Sequence, residues 1–267
     1  MQLLRNLKLT DVFVLDIETV PCADGHDNMD EMLRLLWQHK CESLRREKGW
    51  NLNLHAIDQM PEHLQDTALF EQAGIYAEFG RIVCISVGCF LFDKEEEQWR
   101  FRVKSFAYDD EAQLLREFSA LLFRKPEYLL CAHNGKEFDF PYIARRLLIN
   151  GLALPPQLDL AGKKPWEIRH LDTMELWKFG DRKAPTSLNL LAAVFKIPTP
   201  KDDITGADVA RVYYEERDLP RIVTYCQKDI VTTARLLLRF RGDEPFPDEA
   251  VVYADQPAPT MVVLRAS

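Results

Sequence analysis

Apolar positions along this 267-residue chain follow two rhythms. Val12 to Ile17 is a short, β-branched apolar run and reads as a buried strand. Arg81 to Phe92 (RIVCISVGCFLF) reads as a second strand. The acidic tip DKEEEQ follows, and Trp99 to Phe106 returns as a third, so the pattern predicts a hairpin. Tyr128 to Ala132 is a fourth, shorter strand. The helical rhythm appears at Met29 to Lys48, with Met32, Leu35, Leu36, His39 and Leu44 as its stripe, and at Pro61 to Gln72. It returns in a helix opening at Asp109 (DDEAQLLREFSALLF) and in one from Phe140 to Asn150 that stops at Gly151. Leu152 to Ile168 is Pro- and Lys-rich and predicts irregular chain. Four more helices are expected at Asp172–Phe179, Ser187–Lys196, Gly206–Glu216 and Leu219–Phe240.

This order predicts an α/β fold, a mixed β-sheet flanked by helices, with a helical insertion at about residues 22–80 after the first strand. Residues 1–241 read as one domain. Residues 242–267 read as a Pro-rich C-terminal arm, either loose or added to the sheet as a strand.

Composition narrows the class. Hydrophobic residues at 47% and charged residues at 28% fit a globular chain, and no apolar run is long enough to span a bilayer. The opening MQLLRNLKLTD lacks the features of a signal peptide, and none of the six cysteines forms a CxxC pair. A cytoplasmic protein with reduced thiols is expected. The six histidines show no metal-binding spacing and read as surface or structural residues. A net charge of −8 argues against coating nucleic acid by bulk attraction, but not against holding it locally. The sign reverses between Ala161 and Lys201, where eight basic residues, among them Lys163, Lys164, Arg182 and Lys183, face four acids including Asp172. That stretch is either a solvated mixed-charge face or a guide for a polyanion.

The candidate chemistry is acidic. In VFVLDIETVP, Asp16 and Glu18 lie two apart on a strand and share a face. They fall at the strand's carboxyl end, where open α/β sheets place their ligands. Adjacent carboxylates repel, and a hard divalent cation relieves that repulsion. Two solvated acids at a strand end are the plainer alternative. In AHNGKEFDFPYIARR, Asp139 falls near a helix N-terminus, as a ligand or as a simple cap. In YCQKDIVTTARLLLRF, Tyr225 and Asp229 sit four apart on one helical face.

Taken in chain order, DIET, HNGKEFDFPYI and YCQKD resemble the three exonuclease motifs of the DEDD superfamily. The YxxxD spacing is that of its DEDDy branch, in the DnaQ-like group. The middle motif is most similar to the proofreading exonuclease of family B DNA polymerases, and to stand-alone bacterial predicted exonucleases related to it. The stretch SLNLLAAVFKIP…DDITGADV is also similar to that group. The resemblance covers roughly Phe13 to Arg239. It implies a ribonuclease H-like fold and a 3′–5′ exonuclease that releases nucleoside 5′-monophosphates from single-stranded DNA. It further implies two divalent ions, Mg²⁺ or Mn²⁺, held by Asp16, Glu18, Asp139 and Asp229, with Tyr225 orienting the attacking water. Thr19, Asn134 and Phe138 would approach the terminal nucleotides. Ser187 would begin a helix, as a simple cap or as a phosphate contact. RNA is the alternative substrate, a non-catalytic nucleic-acid-binding module the alternative class. The 22–80 insertion is a candidate for contact with a protein partner.

Overall fold

The computed structural model describes residues 1–46, 67, 69–95, 97–181, 185–198 and 204–254. Most of the proposed helix at 61–72, the basic residues Arg182, Lys183 and Lys201, and the end of the C-terminal arm lie outside these residues.

A six-stranded sheet forms the centre. Its strands are β1 (Val12–Pro21), β2 (Gly80–Asp93), β3 (Gln98–Ala107), β4 (Leu129–Ala132), β5 (Leu171–Asp172) and β6 (Val251–Tyr253), in the spatial order β5-β4-β1-β2-β3-β6. β1, β2 and β3 form an antiparallel meander. β4 runs parallel to β1, β5 parallel to β4, and β6 parallel to β3. The sheet is accompanied by helices α1 (Gln2–Arg5), α2 (Glu31–Arg46), α3 (Glu111–Phe123), α4 (Asp139–Ile149), α5 (Thr173–Lys178), α6 (Leu188–Val194) and α7 (Leu219–Arg241). This is a ribonuclease H-like α/β fold, as the resemblance implies.

β1 is central and covered on both faces, which explains its unbroken apolar run. Phe13, Leu15 and Ile17 face α3 and α4, packing with Leu114, Phe118, Phe140 and Ile143. Val12 and Val14 face the other way, packing with Ile230 and Leu237 of α7. By the two-residue period, Asp16 and Glu18 continue that second face, towards α7.

One register detail creates the site. β4 pairs only with Val12 to Val14, whereas β2 accompanies β1 as far as Pro21. From Leu15 onward β1 therefore has no strand on its β4 side. The β1–β2 register also slips between Glu18 and Thr19, where Val83 of β2 is the extra residue. Such bulges re-aim side chains beside functional clefts.

Several expectations are corrected. The helix expected at Asp109 is capped instead by Asp110, whose carboxylate accepts from the Gln113 N–H, while Asp109 accepts from the Tyr213 hydroxyl at 2.9 Å. The helix expected at Gly206–Glu216 is three short pieces, a 3₁₀ turn (Gly206–Asp208), an α-turn (Val209–Arg211) and a π-turn (Val212–Glu216). In α2 the buried stripe is Trp37, Cys41 and Leu44, while Met32, Leu35 and Leu36 are exposed. Trp37 wins because its ring removes more apolar area from water, packing edge-on against Phe70 and Phe79. β5 has no counterpart in the expected elements.

The sheet is extended at its far edge by β6. Arg235 of α7, itself buried, donates to the Phe246 carbonyl and forms a 2.6 Å ion pair with Asp248. The first part of the arm is thus tied to the longest helix.

Candidate active site

β1 supplies Asp16 and Glu18, and α4 brings Asp139 to them. Asp139 is the first residue of α4, only 2% exposed. The Ile17 backbone, lying between Asp16 and Glu18 on the unpaired side of β1, hydrogen-bonds its carboxylate. The missing β4 partner beyond Val14 is what leaves Ile17 available. Asp139 Oδ1 is buried with no hydrogen-bond partner, a costly condition for a carboxylate oxygen.

The loop before α4 is fixed by a second buried acid. Asp172 accepts from the N–H groups of Asn134 (3.0 Å), Lys136 (3.1 Å), Met174 (2.9 Å) and Glu175 (3.1 Å). One of the four acids of the 161–201 stretch, it is an internal brace joining β5, α5 and the Asn134 loop. Asn134 takes φ +66°, a left-handed conformation that asparagine tolerates. Gly135 is required next. A Cβ there would lie 2.4 Å from the Ala132 Cβ, so no other residue fits between β4 and α4. His133 anchors the same loop, bonded to the Thr173 hydroxyl and to the Thr186 carbonyl, both at 2.9 Å.

α7 completes the cluster. Asp229 contributes its charge to the field at Asp16, Glu18 and Asp139. Tyr225 lies one turn earlier, half-buried at the edge of the core between α7 and β2. Cys226 follows it and points inward, its thiol 3.4 Å from both the Asp16 carbonyl and Asp16 Oδ2.

The electrostatics are unfavourable without a further charge. Burial first, then the neighbouring carboxylates, holds Asp16 and Glu18 well above the ordinary carboxylate range. Burial likewise raises Asp139 to about 7, against the pull of its own backbone N–H and that of Ile17. Among the described residues, no lysine or arginine pairs with Asp16, Glu18 or Asp139. One oxygen each from Asp16 and Glu18, with Cys226 Sγ, lie within 4.8 Å of one another. Oxygen donors this close, buried and lacking counter-charge fit a hard divalent cation.

The remaining candidates are placed as follows. Thr19 lies just past the bulge, its hydroxyl close enough to influence the Tyr142 phenol. Phe138 precedes α4, half-buried, its ring centroid 5.4 Å from that of Tyr142. Ser187 is an exposed N-cap of α6, accepting from the Leu190 N–H at 3.3 Å. Its neighbour Thr186 connects it to His133, and no described contact brings it to the acids. Cys226 and Asp172 were not singled out from the sequence. Cys226 lay in plain view beside Tyr225, one residue round an inward-facing helix. Asp172 showed as an aspartate ahead of a helical start, the signature of a cap.

Residues 75–244 match the family described as "predicted 3′–5′ exonuclease related to the exonuclease domain of PolB", and the chain belongs to that family. The matched stretch contains Asn134, Phe138, Asp139, Ser187, Tyr225 and Asp229, and begins after Asp16, Glu18 and Thr19. A DNA polymerase of Pyrococcus glycovorans is 24% identical over 153 residues, covering 52% of this chain and 19% of that protein. Among solved structures, the family B DNA polymerase of Pyrobaculum calidifontis is similar with a TM-score of 0.46 and 15% identity, over 85% of this chain and 24% of that one. The chain thus spans about a fifth to a quarter of these polymerases. No helix among the described residues is long and apolar enough to cross a membrane.

Proposed function

We propose that the chain is a two-metal 3′–5′ exonuclease acting on single-stranded nucleic acid, DNA in preference to RNA, in the cytoplasm. One observation carries the reading: Glu18 and Asp139 are buried with half-buried Asp16 beside them, and none of the three has a counter-charge among the described residues.

Asp16, Glu18 and Asp229 would hold divalent ions, and Asp139 would position one through water. Bound Mg²⁺ or Mn²⁺ supplies an activated water and neutralises charge on the phosphate under attack. Tyr225 orients that water, since a phenol with a pKa near 10 is a poor base by itself. Thr19 and Asn134 contact the terminal nucleotide beside the acids. The Phe138 ring, braced on Tyr142, offers a face to a base without regard to sequence. A groove of about 320 Å³ leads away from Asn134, lined by Lys136, Lys163 and Lys178 among others. Its lining also carries Glu137, Asp172 and Glu175, and Lys136 pairs with Glu175 at 2.6 Å, which leaves Lys163 and Lys178 to meet a strand's backbone, with exposed Trp166 and Lys164 in the adjoining turn. Ser187 acts as a helix cap.

The test is the shortening of end-labelled single-stranded DNA, duplex DNA and RNA in Mg²⁺ or Mn²⁺. Ion-dependent 3′ shortening, fastest on single-stranded DNA and abolished by Asp16→Ala, is expected. Binding without cleavage in either ion would replace the enzyme with a binding module. Faster loss of RNA would reverse the substrate preference.

A further inference from the structure

We propose that Cys226 is a third donor to the centre at Asp16 and Glu18, so that a thiophilic divalent cation of the Zn²⁺ class competes there with Mg²⁺ or Mn²⁺. The proposal rests on the reading of Asp16 and Glu18 as cation ligands, and adds a sulfur donor that reading does not contain.

The Cys226 thiol lies within hydrogen-bond reach of Asp16 Oδ2, and the same spacing suits a mixed sulfur–oxygen site. In a tetrahedral zinc site with Zn–S about 2.3 Å and Zn–O about 2.0 Å, sulfur and oxygen lie about 3.5 Å apart. Cys226 Sγ and Asp16 Oδ2 lie 3.4 Å apart. Adding a Glu18 oxygen keeps all three donors within 4.8 Å, and among the described residues no other three such groups meet this way. Glu18 independently points to a ligand. It is only 6% exposed, belongs to the same donor set, and has no hydrogen bond or ion pair from the described protein. The orphaned Oδ1 of Asp139 is a second acceptor buried in the same electrostatic cluster.

The fold holds the sulfur there. Cys226 is fully buried on the face of α7 that packs over β1 and β2, together with Val20, Val83 and Cys84. Mg²⁺ gains nothing from a sulfur neighbour, because hard cations select oxygen, whereas Zn²⁺, Cd²⁺ and Co²⁺ accept thiolate and carboxylate together. On ligation the S–H bond breaks, the proton passes to solvent and the sulfur–metal bond forms. A thiophilic ion therefore competes with the hard ion for Asp16 and Glu18, and Cys226 sets the outcome.

The test uses the full chain, reduced with a phosphine, stripped with chelator and titrated with Co²⁺ or Cd²⁺. The sulfur-to-metal charge-transfer absorbance reports thiolate ligation directly. Cys22 and Cys89 are partly exposed thiols, so their background is removed by subtracting the C226S titration. One equivalent of sulfur band is expected in the wild type, absent from C226S and from D16A. Cadmium affinity should fall about tenfold or more in C226S, while Mn²⁺ affinity, read by paramagnetic resonance of the free ion, changes less than about threefold. C226A, checked for folding by its melting transition, provides a second variant, and the band in the wild type needs neither. Asp16-dependent Mn²⁺ binding without a sulfur band, or a band that survives in C226S, overturns the proposal and leaves the acidic reading standing. Failure of every divalent ion to bind in an Asp16-dependent way overturns both.

Discussion

Two buried carboxylates on opposite sides of this sheet meet opposite fates. Glu111, at the start of α3, is 7% exposed, and Glu18, on β1, is 6% exposed. Glu111 is fully answered by the protein. Arg146 grips it with two bonds, at 2.9 and 2.5 Å, Asn150 donates at 3.0 Å, and the Ile82 N–H donates at 2.7 Å. Arg146 also donates to the Ala77 carbonyl at 2.8 Å, which holds the guanidinium in place beside Glu111. Glu18 instead faces Asp16, with Asp139 and Asp229 adding to the same negative field. Among the described residues the fold supplies an arginine to one buried acid and none to Asp16, Glu18 or Asp139, the condition under which a bound cation is proposed. Equal burial thus separates the two acids by what stands opposite each.

Mutations should break this comparison in opposite directions. The largest effect is expected from Asp16→Ala. Loss of one ion-holding carboxylate should slow strand shortening by about three orders of magnitude or more, equivalent to about 4 kcal/mol. The melting temperature of the chelated protein should stay level or rise, because a like-charge neighbour has gone. Glu111→Ala should do the reverse. It leaves Arg146 buried and unpaired and should cost about 3–5 kcal/mol in denaturant unfolding, with the activity of the folded fraction retained. Tyr225→Phe sharpens the active side of the contrast. Removing the hydroxyl should lower the rate by about 10- to 100-fold in single-turnover measurements, with little change in stability. The smallest effect is expected from Ser187→Ala, about 1 kcal/mol of stability from a lost cap, with the shortening rate unchanged.

How far the sequence disclosed this arrangement depends on the range of the forces involved. β1 and the β2–β3 hairpin were legible because apolar runs and a charged tip are local signals. The three acidic motifs were legible as residue types at fixed spacing. β5 was not, since its two residues pair with β4 only because tertiary packing carries them there. The buried stripe of α2 was misread because Met32, Leu35 and Leu36 also fit a helical period, and only the neighbours Phe70 and Phe79 decide in favour of Trp37. Asp172 looked like a surface charge until four backbone N–H groups converged on it. The role of Cys226 beside Asp16 depends on how α7 lies over β1, 210 residues apart in the chain.

The central claim is that Asp16, Glu18 and Asp139, which have no counter-charge among the described residues, are completed by a divalent cation. Unfolding free energy measured against pH, with chelator and then with Mn²⁺, tests it most directly. Asp139 keeps its proton up to about pH 7 in the folded state, whereas its ordinary pKa is 3.8. Between those values the folded state binds more protons than the unfolded one, so the chelated protein should lose stability as pH rises. The upward shifts of Asp16 and Glu18 act in the same direction. Mn²⁺ should flatten that fall and raise stability most at the high-pH end, and Asp139→Asn should flatten it without the ion. A chelated protein whose stability rises or stays level across this range, and does not respond to Mn²⁺, would contradict the account.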